Sequence, residues 1–81
     1  GLMPVIEIFY SLNHLEKKNK VRFNYMLSGR KGKYGLLRKY GGKLLKPGII
    51  EIVPETENLF LEKIKMITTR FKVRRAFIYN N

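Results

Sequence analysis

Cysteine is absent from this chain, which excludes disulfides and thiolate zinc sites. Aspartate, glutamine and tryptophan are absent too, and six glutamates are the only acids. A single histidine, His14, leaves little material for imidazole chemistry. No apolar run approaches the ~20 residues that span a bilayer. Glu7 interrupts the only apolar N-terminal stretch, so no signal peptide is expected and Met3 reads as the natural start. Membrane-surface binding wants bulky apolar residues opposite lysine on one long helix, a pattern that is missing. A cytoplasmic location is the expectation from these absences.

What the chain has in excess is positive charge, and it is sorted by position. Lys17 to Lys46 holds eleven bases and no acid, Pro47 to Glu62 four acids and no base, and Lys63 to Asn81 six bases and no acid. The net charge is +11 on 81 residues. Such a balance implies either a basic tail or a polyanionic partner. Tails are poor in apolar residues, whereas these basic stretches carry Val21, Phe23, Tyr25, Leu36, Leu37, Phe71, Val73, Phe77 and Tyr79. The charge therefore belongs to a folded surface, and nucleic acid, RNA or DNA, is the expected partner. With 44% hydrophobic residues the chain should fold as one small domain, for which homodimerisation is a route to further burial.

Local patterns give an order of elements. Residues 4–10 are β-branched and aromatic and favour a strand, and Ser11 could cap a short helix through Lys18. Val21 to Leu27 alternates apolar with polar and reads as a half-buried strand. A glycine-rich basic loop follows from Ser28 to Gly35, then a short helix over 35–40 ending at Gly41-Gly42. Pro47-Gly48 marks a turn between strands at 43–45 and 49–53. Pro54-Glu55-Thr56-Glu57 starts a helix whose stripe is Phe60, Ile64 and Ile67, and Phe71–Tyr79 alternates as a last strand. The expected fold class is α+β: residues 1–20 as an N-terminal extension, and a β-α-β-β-α-β core over 21–79. That core is a small antiparallel sheet with two helices, a ferredoxin-like (split βαβ) variant.

The loop Gly29-x-x-Gly32-x-x-Gly35 carries the sharpest chemistry. Glycines allow close backbone approach to phosphate, Arg30, Lys31 and Lys33 supply cations, and a following helix end adds positive potential. An ordinary solvated turn collects the same residue types. Tyr34 lies inside the loop and offers a flat face to a base. Arg22, Arg38 and Lys39 extend the basic surface, and Lys72, Arg74 and Arg75 extend it further if the last strand lies nearby. Arg75 stands between Val73 and Phe77 on an apolar strand face, so it is either a binding cation or the partner of a glutamate such as Glu51. His14 reads as an exposed histidine. Glu55, Glu57 and Glu62 do not converge as metal ligands. No nucleophile–base–orienter set can be assembled, so catalytic residues and cofactors are not expected, although some ribonucleases act with only Arg, Lys and Tyr.

Gly29-Arg30-Lys31-Gly32 resembles the GXXG loop of KH domains, which clamps a single-stranded backbone. The helix to Gly41-Gly42, the turn at Pro47-Gly48, the strand at 49–53 and the helix after Glu55 are similar too. That pattern has a helix where residues 21–27 read as a strand. A second resemblance, in Pro4-Val5-Ile6-Glu7 and Arg75-Ala76-Phe77-Ile78-Tyr79, is to ribosome-dependent RNase toxins of the RelE/HigB type. It implies an endoribonuclease and needs a strand where Pro54–Glu57 signals a helix. The expectation is a nucleic-acid-binding protein of low sequence specificity that contacts the phosphate backbone, with RNA or single-stranded DNA favoured. The alternatives are that toxin and a basic protein-interaction module.

Overall fold

A long strand at the N-terminus organises everything else. The computed structural model describes residues 1–79. β1 (Leu2–Tyr10) is followed by α1 (Lys17–Ser28), β2 (Gly29–Arg30), β3 (Lys33–Tyr34), α2 (Leu36–Lys39), β4 (Lys43–Lys46) and β5 (Ile49–Ile52). A 3-10 turn at Pro54–Thr56 leads into α3 (Glu57–Lys65), and β6 (Phe71–Tyr79) closes the sheet. The result is α+β: a four-stranded antiparallel sheet in the order β4-β5-β1-β6, a separate two-stranded β2-β3 ribbon, and helices.

Strand alternation sorts the side chains. The registers Ile6↔Ile52 and Ile8↔Ile50 put these four isoleucines on one face. Phe23 and Leu27 from α1, Leu37 from α2, and Phe60 and Ile64 from α3 close over them as the buried core. Tyr10 joins at the rim, its ring 4.7 Å from that of Phe23. The opposite face carries Glu7, Phe9, Ile49, Glu51, Lys72 and Arg74.

Three expectations are corrected. Residues 21–27 are the body of α1, not a strand. Phe23 and Leu27 are the buried pair, four apart, while Val21 and Tyr25, which completed the alternation, are exposed. Tertiary burial of an i,i+4 pair overrides a period-two pattern. With that strand gone, residues 2–10 are not an extension: β1 is an inner strand of the sheet, hydrogen-bonded to β5 and β6. α1 starts at Lys17 with Glu16 as its N-cap, so Ser11 does not cap it.

The remaining elements follow their local signals. Pro54 sits in the first turn, Thr56 Oγ1 donates to the Val53 carbonyl at 2.8 Å, and Glu57 lies in the first turn of α3 with Lys63 and Lys65 in its last. Residues 57–65 are thus helical, where the toxin resemblance needs a strand. Pro47 and Gly48 join β4 to β5.

Candidate nucleic-acid interface

The glycine-rich segment folds into a tight ribbon projecting from the end of α1. Gly29 pairs with Tyr34 and Arg30 with Lys33, so Lys31 and Gly32 form a two-residue tip. Gly32 has φ +80° while Lys31 keeps a negative φ, the pattern of a type II turn, which favours glycine at its third position. At the neck, a Cβ on Gly29 would collide with the backbone of Lys33 and Gly35, and one on Gly35 with Gly29 and the Leu27 carbonyl. The Gly29 N–H is already donated to the Tyr25 carbonyl as the cap of α1. Gly29 and Gly35 thus have a structural reason to be glycine. α2 is only four residues long, too short for the helix-end field expected behind the loop. What the ribbon presents is its side chains.

Those side chains line three concavities that share walls. One of about 520 Å³ is lined by Ser28, Arg30, Gly32, Lys33, Tyr34 and Arg38. The next, about 380 Å³, shares Arg30, Lys33 and Tyr34 and adds Tyr25, Met26, Lys39 and Lys63. The third, about 170 Å³, shares Met26 and Lys63 and adds Arg22, Met66 and Ile67. Arg22, Arg30, Lys33, Arg38, Lys39 and Lys63 thus border one connected surface, and no acid lines it. None of these six cations is ion-paired with an acid among the described residues.

Two arginines are held in place by aromatic rings. The Arg30 guanidinium lies 4.8 Å from the Tyr25 ring centroid, and that of Arg38 lies 4.2 Å from Tyr34. A guanidinium already seated over a ring loses less rotamer freedom on meeting an anion. Tyr34 itself is 61% exposed, but Arg38 occupies one of its faces.

The β6 cations stand apart from this surface. Lys72, Arg74 and Arg75 line none of the three concavities. Arg74 donates through Nε (2.9 Å) and a terminal guanidinium nitrogen (2.6 Å) to Oε1 of Glu7. It ends a row on the open sheet face, Lys43–Glu51–Glu7–Arg74, in which it offsets two facing glutamates. Arg75 lies on the helix-covered face and pairs with Glu57 at 3.6 Å, not with Glu51. Lys72 borders a separate concavity with Phe9, Arg70 and Phe71.

Sequence reasoning missed Lys63 and Met26. Arg22, Met26 and Gly29 share one face once residues 17–28 are read at helical spacing, and Lys63, Met66 and Ile67 do so at the end of α3. Among the described residues no group of three or more His, Asp or Glu converges to hold a metal, and no helix is long and apolar enough to cross a membrane. Compared with known proteins, the chain matches no protein-family model, no curated protein and no solved structure.

Proposed function

We propose that this chain is a small nucleic-acid-binding protein that holds the phosphate backbone against the β2-β3 ribbon with low sequence preference. The observation that carries the reading is the connected surface bordered by six cations with no acid in it. Arg22, Arg30, Lys33, Arg38, Lys39 and Lys63 neutralise phosphates, and Lys31 at the ribbon tip adds a seventh charge. Arg30 and Arg38 give charge-assisted hydrogen bonds from guanidinium groups that Tyr25 and Tyr34 hold in place. A base can stack on the free face of Tyr34 or on the guanidinium plane beside it. Single strands are favoured, RNA or DNA, because no helix carries a row of base-reading side chains toward a groove. The order α1, Gly29-Arg30-Lys31-Gly32, α2 supports the likeness to the GXXG loop of KH domains. The strand order with helices on one face supports a ferredoxin-like split βαβ architecture with β2, β3 and α2 inserted.

The test is a titration of the full chain with unstructured RNA and DNA oligonucleotides across a salt series. With about six phosphates neutralised on a single strand, log K should fall against log salt with a slope near −4. No binding to any oligonucleotide at about 50 mM salt would overturn the reading.

A further inference from the structure

The two edges of the four-stranded sheet are built differently. β4, at one edge, is four residues long, irregular between Leu44 and Lys46, and flanked by Lys43 and Lys46. A short, bulged, lysine-bearing strand is how a sheet edge is protected against pairing with another chain. β6, at the other edge, is nine residues long and paired to β1 without a bulge from Phe71 to Tyr79. Its first half is guarded by Lys72, Arg74 and Arg75. From Ala76 to Tyr79 it carries no charge, and Phe77 and Tyr79 are 67% and 83% exposed. Leu2, opposite Tyr79 on β1, is exposed beside them. An unguarded edge with two exposed aromatics is what a strand-pairing partner would cover.

We propose that the occupant is a second copy of this chain, paired antiparallel through the C-terminal half of β6 about a two-fold axis at Phe77. The strand is self-complementary in this register. Phe77 lies opposite its own copy, Ala76 opposite Ile78, and Arg75 opposite Tyr79, an aromatic pair flanked by two cation–aromatic pairs. Charge excludes the neighbouring registers on the side of the basic half. Centring on Arg75 opposes the two Arg75 side chains, and centring on Ala76 leaves them diagonal neighbours on one face. In the Phe77 register they are four residues apart along the ladder. Arg74 and Arg75 are already offset by Glu7 and Glu57, which lowers the repulsion at the seam. The assembly is an eight-stranded sheet with an isologous interface.

Because each copy carries +11, association should strengthen with salt, opposite in sign to nucleic-acid binding. Light scattering of the full chain should show the mass rising from 9.6 kDa toward twice that with concentration, and rising further at higher salt. Phe77→Lys should move the half-dimer concentration upward by roughly tenfold or more. A cross-link supplies a second readout, since the chain has no cysteine of its own. Under oxidation Phe77→Cys should form a covalent dimer much faster than Lys72→Cys, which sits in the guarded half. A mass of 9.6 kDa at every concentration and salt, with the two cysteine variants cross-linking at equal rates, overturns the proposal. So does a dimer that Phe77→Lys leaves intact, because its interface lies elsewhere.

Discussion

Gly29 and Gly35 meet backbone to backbone at the neck of the ribbon, in a space that no Cβ can enter from either side. Gly29 also has φ +86°, a conformation costly for an L side chain. Gly32 at the tip has open space around it. Gly35→Ala should therefore cost about 3 kcal/mol, toward the upper end for single substitutions, since backbone must move to admit the methyl group. Gly32→Ala should cost about 1–2 kcal/mol, the penalty of left-handed backbone alone. Urea denaturation compares them, and equal costs would mean the neck is not the tight point.

The stacked arginines should matter more to binding than their charge alone predicts. Arg30→Ala with Arg38→Ala removes two oriented, charge-assisted donors and should weaken oligonucleotide binding by roughly 2–4 kcal/mol. Arg74→Ala with Arg75→Ala removes equal charge, but both side chains are committed to glutamates. That double should cost binding less than ~1 kcal/mol. Fluorescence anisotropy at fixed salt measures both, and equal losses would reduce the surface to diffuse electrostatics.

The charge blocks and the turn chemistry carried much of this architecture. Pro47-Gly48, the Pro54–Glu57 helix start and the alternation of Phe71–Tyr79 each rest on local physics that the tertiary structure leaves in place. Val21–Leu27 was misread because its four alternating apolar residues contain a helical pair, Phe23 and Leu27, and burial chose that pair. That one error displaced β1 from the centre of the sheet. The basic loop was legible as a candidate site, but its ribbon geometry was not, because the neck depends on contact between glycines six residues apart. Lys63 was invisible for the same reason: only packing of α3 brings it to Met26 and Lys39.

Thr68 ties the two loops at one end of the sheet together. It is 2% exposed, and its Oγ1 accepts from the Arg70 N–H at 3.1 Å while lying 3.2 Å from His14 Nε2 and 3.4 Å from the Ser11 carbonyl. Thr68→Val keeps the shape but removes the buried hydroxyl and with it the acceptor of the Arg70 N–H, a cost of about 1 kcal/mol. Thr68→Ser should recover most of the loss. If valine is as stable as threonine, the latch contributes nothing.

Tyr10 makes stability sensitive to alkali. Burial pushes its phenol above the ordinary 10.0, against a backbone hydrogen bond with Gly48 that pulls it down. The folded chain then holds the phenolic proton more tightly than the unfolded chain does. Below pH about 10 this contribution is fully present, and it is lost as pH rises through the raised folded-state value. Unfolding free energies measured on either side of that pH should fall more steeply in the native chain than in Tyr10→Phe. Parallel slopes would show that the phenol ionises equally well in both states.

The start of α1 works against its own helix. Lys17, Lys18 and Lys20 occupy its first turn, which holds no acid, and the Glu16 N-cap before them makes no side-chain capping hydrogen bond, whereas α3 begins with Glu57. Lysine at a helix N-terminus is unfavourable by the same ~0.3–1 kcal/mol that an acid gains there. Lys17→Glu and Lys18→Glu should each raise stability by about that amount or slightly more, because an unfavourable charge is replaced by a favourable one. Neither residue lines the ribbon surface, so oligonucleotide binding should weaken only through the lowered net charge, and high salt should erase the difference. Thermal melts at low and high salt, paired with anisotropy titrations, check both halves. A double variant that is more stable and still binds would separate the folding cost of these lysines from the ribbon's function. One that loses binding as completely as the Arg30 and Arg38 double would move the interface to the start of α1.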